Sequence, residues 1–298
     1  MIQAGRVGGW FSRRDSQILK EPVLRAFFDH AHGIQNILPE IYSKLESKNK
    51  SAEQSVHRLE IISFGDVAVR FNSRALELSD WQTREARDLF LFLLQSPPLT
   101  KEQIALVFWP DISPARLKMR FKINMYRIRK AIGQDAILFD DEHYRFNREI
   151  NYYWDREKLD EIFAKLRYTT ETSNRAKLLE QVIALVKGPY LANLYAEWIE
   201  SERFRYQELY RDAMLELANI YLQDGRVQQS LTIARMILQF DPLLEGAHRL
   251  IIQAYATLHD PAGMTLQYRR YEQALDEELG LEPSSEISTL YEKLMAKI

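Results

Sequence analysis

Apolar positions along the chain change their period twice. Between residues 58 and 78 they fall in short extended runs, Leu59-Glu60-Ile61-Ile62-Ser63-Phe64 and Val67-Ala68-Val69-Arg70-Phe71, separated by the turn signal Gly65-Asp66. Asn72-Ser73-Arg74 turns the chain again before Leu76 and Leu78, so two or three short antiparallel strands are expected. From Thr83 the period becomes helical. A helix over about 83–95 carries Ala86, Leu89, Phe90, Leu93 and Leu94 on one face and stops at Pro97-Pro98. A second opens at Thr100, whose hydroxyl can cap it while Gln103 reaches back; it holds Ile104, Leu106, Val107 and Trp109, the last read as core, and ends at Pro110. A third has Ser113 as its cap, Pro114 in its first turn and Gly133 at its end, with Leu117, Phe121, Met125, Ile128 and Ile132 as an inward stripe. Its other side carries Arg120, Ile123, Asn124 and Arg127 at the same helical spacing. Ile137-Leu138-Phe139 and Tyr144-Arg145-Phe146 then read as a hairpin around 140–143. Strands, three helices and a hairpin predict a winged helix-turn-helix over 58–150.

Upstream, Leu24, Phe27, Phe28 and Ala31, then Ile37, Ile41 and Leu45, have helical spacing, and the polar stretch 47–55 reads as a linker. Residues 1–57 are therefore expected to be a helical N-terminal segment and linker. After Asn151 the pattern is helical throughout, over about 155–166, 175–186, 196–223, 226–240, 243–258, 262–279 and 284–297, with breaks at Gly188-Pro189, Asp224-Gly225, Asp241-Pro242, Asp260-Pro261 and Glu282-Pro283. Ala213 and Ala247, Leu217 and Ile251, Tyr221 and Tyr255, and Arg235 and Arg269 are each 34 residues apart, the tetratricopeptide period. The predicted fold is mainly α: a winged helix-turn-helix (α+β) followed, over 151–298, by an all-α tetratricopeptide-like helical repeat domain.

Composition removes several function classes. The 298 residues include no cysteine, which excludes disulfide scaffolds, thiolate zinc sites, iron–sulfur clusters and cysteine nucleophiles. The six histidines, at 30, 32, 57, 143, 248 and 259, show no metal-ligand spacing, and no Gly-rich phosphate cradle is present. Asp140, Asp141 and Glu142 sit together in a turn and read as a solvated tip. No enzyme activity, metal or cofactor is expected. No run of 18 apolar residues occurs, and the Gly-rich start followed by Ser12-Arg13-Arg14 is not a secretory signal, so no membrane partner is expected and the expected setting is cytoplasmic.

Charge is where function begins to show. The net charge of −2 is unevenly spread: 8 basic and 6 acidic residues in 1–57, 15 and 13 in 58–150, 17 and 23 in 151–298. From 113 to 132 there are seven basic residues (Arg116, Lys118, Arg120, Lys122, Arg127, Arg129, Lys130) and no acidic one. Such a helix is either a solvated basic face or a nucleic-acid face. The missing acids, Ile123 and Asn124 exposed among cations, and the flanking hairpin favour the second reading.

Two stretches resemble a family. Leu106-Val-Phe-Trp-Pro-Asp111 and Met125-Tyr-Arg-Ile-Arg-Lys-Ala-Ile-Gly133 look like the second and third helices of OmpR-type DNA-binding domains. Tyr268-Arg-Arg-Tyr271, Glu278-Leu-Gly-Leu-Glu-Pro-Ser-Ser-Glu286 and Leu290-Tyr-Glu292 resemble the end of the bacterial transcriptional activator domain. The pairing, in that order, is similar to SARP-type transcriptional activators and covers about 58–298. The resemblance implies that Arg120, Ile123, Asn124 and Arg127 face the major groove, with Arg127 on guanine, Asn124 on an adenine edge and Ile123 on a thymine methyl. Arg129, Lys122 and Lys130 would meet phosphates, and Arg116 and Lys118 complete the basic face. Arg145 is either a wing contact or a strand-end cation paired with Asp140 or Asp141. Members of the family often have a glycine in the wing; the tip here, Asp140-Asp141-Glu142-His143, has none and is acidic, which argues against its insertion in the minor groove. Residues 21–46 resemble the last helical repeat of large MalT-like ATP-dependent regulators, which would make the chain the terminal part of a larger regulator. The implied function is sequence-specific activation of transcription: double-stranded DNA bound through 113–132, and helical repeats for RNA polymerase or self-association, as in a homodimer on direct repeats. The alternative is a tetratricopeptide-type protein-interaction protein whose winged helix does not bind DNA.

Overall fold

The computed structural model describes residues 58–298, so the expected helices and linker of 1–57 lie outside the described residues. The described residues pack as two compact units, one made of 58–168 and 190–206, the other of 169–189 and 207–298.

The first unit opens with β1 (Leu59–Ile62), β2 (Ala68–Phe71) and β3 (Arg74–Ala75). The β1–β2 pair is antiparallel with Leu59 opposite Phe71, and Asn72-Ser73, both at positive φ, turn the chain into β3. A short α1 (Leu78–Trp81) precedes the three expected helices, α2 (Arg84–Gln95), α3 (Lys101–Phe108) and α4 (Pro114–Ile132). Local chemistry sets their ends. The Thr83 hydroxyl accepts the Ala86 N–H at 3.2 Å, and at Thr100 both bonds of the capping box form, 3.2 Å from the Gln103 N–H and 2.8 Å back to the Gln103 side chain. Gly133, at φ +103°, closes α4 with its N–H on the Arg129 carbonyl. Trp81, Leu89, Phe90, Leu93, Ile104, Phe121, Ile128 and Ile132 form the core between these helices, with Trp81 stacked on Phe90 at 5.3 Å.

The hairpin is β5 (Ile137–Asp140) and β6 (His143–Phe146), turned by Asp141 and Glu142, both at positive φ. A two-residue turn of that shape follows strand twist and normally carries Asn or Gly; Glu142 is the strained member. A third strand, β4 (Leu99–Thr100), pairs with β6 on its other side, so the wing is three-stranded. Another, β7 (Tyr152–Trp154), runs parallel to β1 and gives the first sheet the order β3-β2-β1-β7. The boundary expected after residue 150 thus falls just before a strand that completes the winged-helix sheet.

Side chains beyond that strand tie α5 (Asp155–Leu166) to the same unit. Asp155, buried, accepts from the Ser63 N–H at 2.7 Å, the Phe64 N–H at 3.0 Å and the Ser63 hydroxyl, while the Trp154 indole donates to that hydroxyl at 3.0 Å. Burial pushes the Asp155 carboxyl above its ordinary range despite these donors. Arg203, buried, donates to the carbonyls of Tyr190, Leu191 and Leu194 at 2.8–3.0 Å and so fixes the segment around 190–194.

The second unit is helical: α6 (Thr172–Leu185), α7 (Glu197–Gln223) from residue 207 on, α8 (Val227–Phe240), α9 (Glu245–Thr257), α10 (Pro261–Leu279) and α11 (Ser285–Met295). Three of the 34-residue pairs fall on α7 and α9, where Ala213, Leu217, Ala247 and Ile251 are buried, and Arg235 and Arg269 fall on α8 and α10. Tyr221 is fully buried, its hydroxyl donating to Glu180 at 2.9 Å; Tyr255 is only half-buried and accepts from Arg235 at 2.7 Å. Gly280, at φ +64°, ends α10, and Ser284 caps α11. A terminal cluster of Ile252, Met264, Tyr271, Leu275 and Ile287 lies beneath Tyr268 and Tyr291, which stack at 4.5 Å. The architecture is the expected one: mainly α, a winged helix-turn-helix followed by stacked helices.

Candidate nucleic-acid interface

Helix α4 is held against its unit by Leu117, Phe121, Met125, Ile128, Ala131 and Ile132, and by one polar residue that the sequence reading set on the outside. Asn124 is 1% exposed. Its amide donates to Glu85 of α2 at 2.6 Å and to the Arg120 carbonyl at 3.1 Å. The expectation that Asn124 reaches an adenine edge is therefore corrected. At 3.6 residues per turn it follows Leu117 by two turns and Phe121 by one, and so falls inside the core arc.

Glu85 is the hub of this contact. It accepts from the Trp109 indole at 3.1 Å, from Asn124, and from Nε (3.2 Å) and Nη2 of Arg120, whose guanidinium also lies 5.4 Å over the Trp109 ring. Burial would raise the Glu85 carboxyl, but the bonds donated by Arg120, Trp109 and Asn124 outweigh it and hold the group below the usual carboxylate range. Trp109 is core, as expected.

Two further basic residues are turned toward protein. Arg127, half-buried, donates from Nε to the Gln82 side chain at 3.3 Å. Arg129 donates to the Ile137 carbonyl at 3.1 Å and has its Nε buried. That bond ties α4 to the wing. Arg145, half-buried opposite Leu138, has no ion-pair partner among the described residues, so the expected pairing with Asp140 or Asp141 is absent there.

What faces outward is different. Arg116, Lys118, Lys122 and Lys130 are exposed and have no ion-pair partner among the described residues. Between them runs an apolar stripe of Met119 (69% exposed), Ile123 (39%) and Tyr126 (60%). Sequence reasoning found Ile123 and missed the other two. The signal was present: Met119 and Tyr126 lie about half a turn from the Leu117–Ile128 line, whereas counting from Arg120 leads along the edge of the core. The wing tip, residues 140–142, is exposed and acidic.

Residues 157–295 match the family model of the bacterial transcriptional activator domain. With a winged helix ahead of that domain, the chain is similar to SARP-type regulators. The regulatory protein AfsR of Streptomyces griseus, similar at 22% identity, matches over 84% of this chain but only 26% of its own length, so this chain spans about a quarter of that relative. Among solved structures, Mycobacterium tuberculosis EmbR, determined with a low-affinity phosphopeptide, superposes with a TM-score of 0.65 at 17% identity, over 81% of this chain and 66% of that one. That likeness shows the fold. The family is one of transcriptional regulators rather than enzymes. No helix among the described residues is long and apolar enough to cross a membrane.

Proposed function

We propose that this chain binds double-stranded DNA sequence-specifically through the outward face of α4 and activates transcription through its helical repeats. One observation carries the reading: of four uncommitted cations, Arg116, Lys118 and Lys122 flank an exposed apolar stripe and Lys130 continues its line, on a helix without a single acidic residue. Cations on both margins of a helix suit the two phosphate rows of a major groove, and the stripe between them meets base edges. Arg120 and Arg127 retain N–H groups beyond those given to Glu85 and Gln82, and stand at the margin as phosphate or guanine contacts. The reading carries with it a cytoplasmic setting.

For the second step, the acidic balance of 151–298 favours a protein partner over a phosphate backbone. A groove of about 850 Å³ between α7, α9 and α11 in the second unit, with Asn219, Arg249, Gln253 and Lys293 along it, offers a surface for RNA polymerase or a second copy of the chain.

Selection from a pool of random duplexes with the full chain tests the first step: enrichment of one motif is expected, and a Lys118→Ala/Lys122→Ala variant should weaken selected and random duplexes alike. Recovery of no motif, or an unaffected double variant, would overturn the reading. The interaction-protein alternative gains from no particular feature of α4.

A further inference from the structure

The residues that ordinarily read bases by paired hydrogen bonds are largely spent inside this protein. Asn124 is buried on Glu85 and the Arg120 carbonyl, Arg120 gives Nε and Nη2 to Glu85, Arg127 gives Nε to Gln82, and Arg129 serves the Ile137 carbonyl. The outward stripe of α4 instead presents Met119, Ile123 and Tyr126 within two turns, exposed amid cations. Large apolar side chains arranged in one line on a charged helix need an apolar counterpart. The major groove offers one such group on its base edges, the C5-methyl of thymine; every other feature there is a hydrogen-bond donor or acceptor.

The cations fix where the stripe sits. At about 100° per residue, Lys118 and Lys122 lie on one side of it and Arg116 and Arg127 on the other. With phosphates at both margins, Met119, Ile123 and Tyr126 are centred on the groove floor. Resting on the DNA-binding reading above, we infer that this recognition helix selects its site by packing Met119, Ile123 and Tyr126 on thymine methyl groups, with hydrogen bonds to guanine and adenine secondary.

The test takes the duplex selected by the full chain and replaces its thymines one at a time by deoxyuracil, which removes the methyl and leaves base pairing intact. Burying a methyl predicts a three- to fivefold loss of affinity at one to three thymines. Ile123→Ala and Met119→Ala should weaken the thymine duplex while binding the matching uracil duplex as the parent protein does, to within twofold. Both side chains are exposed, so thermal melts of the variants should match the parent and exclude misfolding as the cause. If every uracil duplex binds like the parent duplex and 7-deazaguanine replacements cost tenfold instead, the inference is overturned while DNA binding stands. If selection yields no motif at all, the DNA-binding reading fails and takes this inference with it.

Discussion

Glu85 joins α2 to α4 through a single carboxylate that accepts from Trp109, Arg120 and Asn124. Charged acceptors of this kind contribute about 1.5–3 kcal/mol each when a partner is lost, partly offset here because Arg120 stays half in water. Glu85→Gln should destabilise the first unit by about 2 kcal/mol at pH 7. The sign with pH follows from the lowered carboxyl: its stabilisation is complete above the ordinary value of about 4.3 and is lost as pH falls through the folded value. In urea unfolding the gap between parent and variant should therefore narrow as pH falls below the ordinary carboxylate range; a gap that stays constant down to the acid limit of folding would mean the carboxylate charge is not what holds the contact. His248 illustrates the same rule on a buried ring. Burial lowers its pKa, and it sits between the Pro242 carbonyl and the Gln267 amide as the neutral ring. At this scale the basic residues were legible as a set from composition, but their individual partners were not. Glu85 is 39 positions from Asn124 in the chain, and nothing local announces a bond across that separation.

Helices were readable because their signals are local. Thr83, Thr100, Pro114, Gly133, Gly280 and Ser284 act within one turn of the residues they cap. The strands β4 and β7 were not readable: one has two residues, the other pairs in parallel with a strand about ninety positions earlier, and neither has a turn of its own. The omission has a measurable consequence. A fragment of 58–150 lacks β7, Trp154 and Asp155, and leaves the Ser63 and Phe64 N–H groups without their buried acceptor. It should show no cooperative thermal transition, whereas 58–206 should melt sharply by near-ultraviolet circular dichroism. A cooperative melt of the shorter fragment would show that the sheet closes without its fourth strand.

Across the whole molecule the repeat period was legible as spacing, yet equal spacing did not give equal burial. Tyr221 is enclosed and carries Arg226 over its ring at 3.7 Å, while Tyr255 lies at the margin of the terminal cluster. Tyr221→Ala should cost about 3–5 kcal/mol as a large-to-small core change, and Tyr255→Ala clearly less, by differential melts of the full chain. Equal losses would restore the equivalence that the 34-residue spacing suggested. The unequal charge of the two halves was legible too, and it underlies the proposal that DNA meets one half and protein the other. That assignment is tested most directly by the salt dependence of full-chain binding to its selected duplex. The four uncommitted cations of α4 predict that log affinity falls with log salt at a slope of about −3 to −4, reduced by about 2 in Lys118→Ala/Lys122→Ala. A slope near zero, or one that the double variant leaves unchanged, would contradict a DNA interface on the outward face of α4.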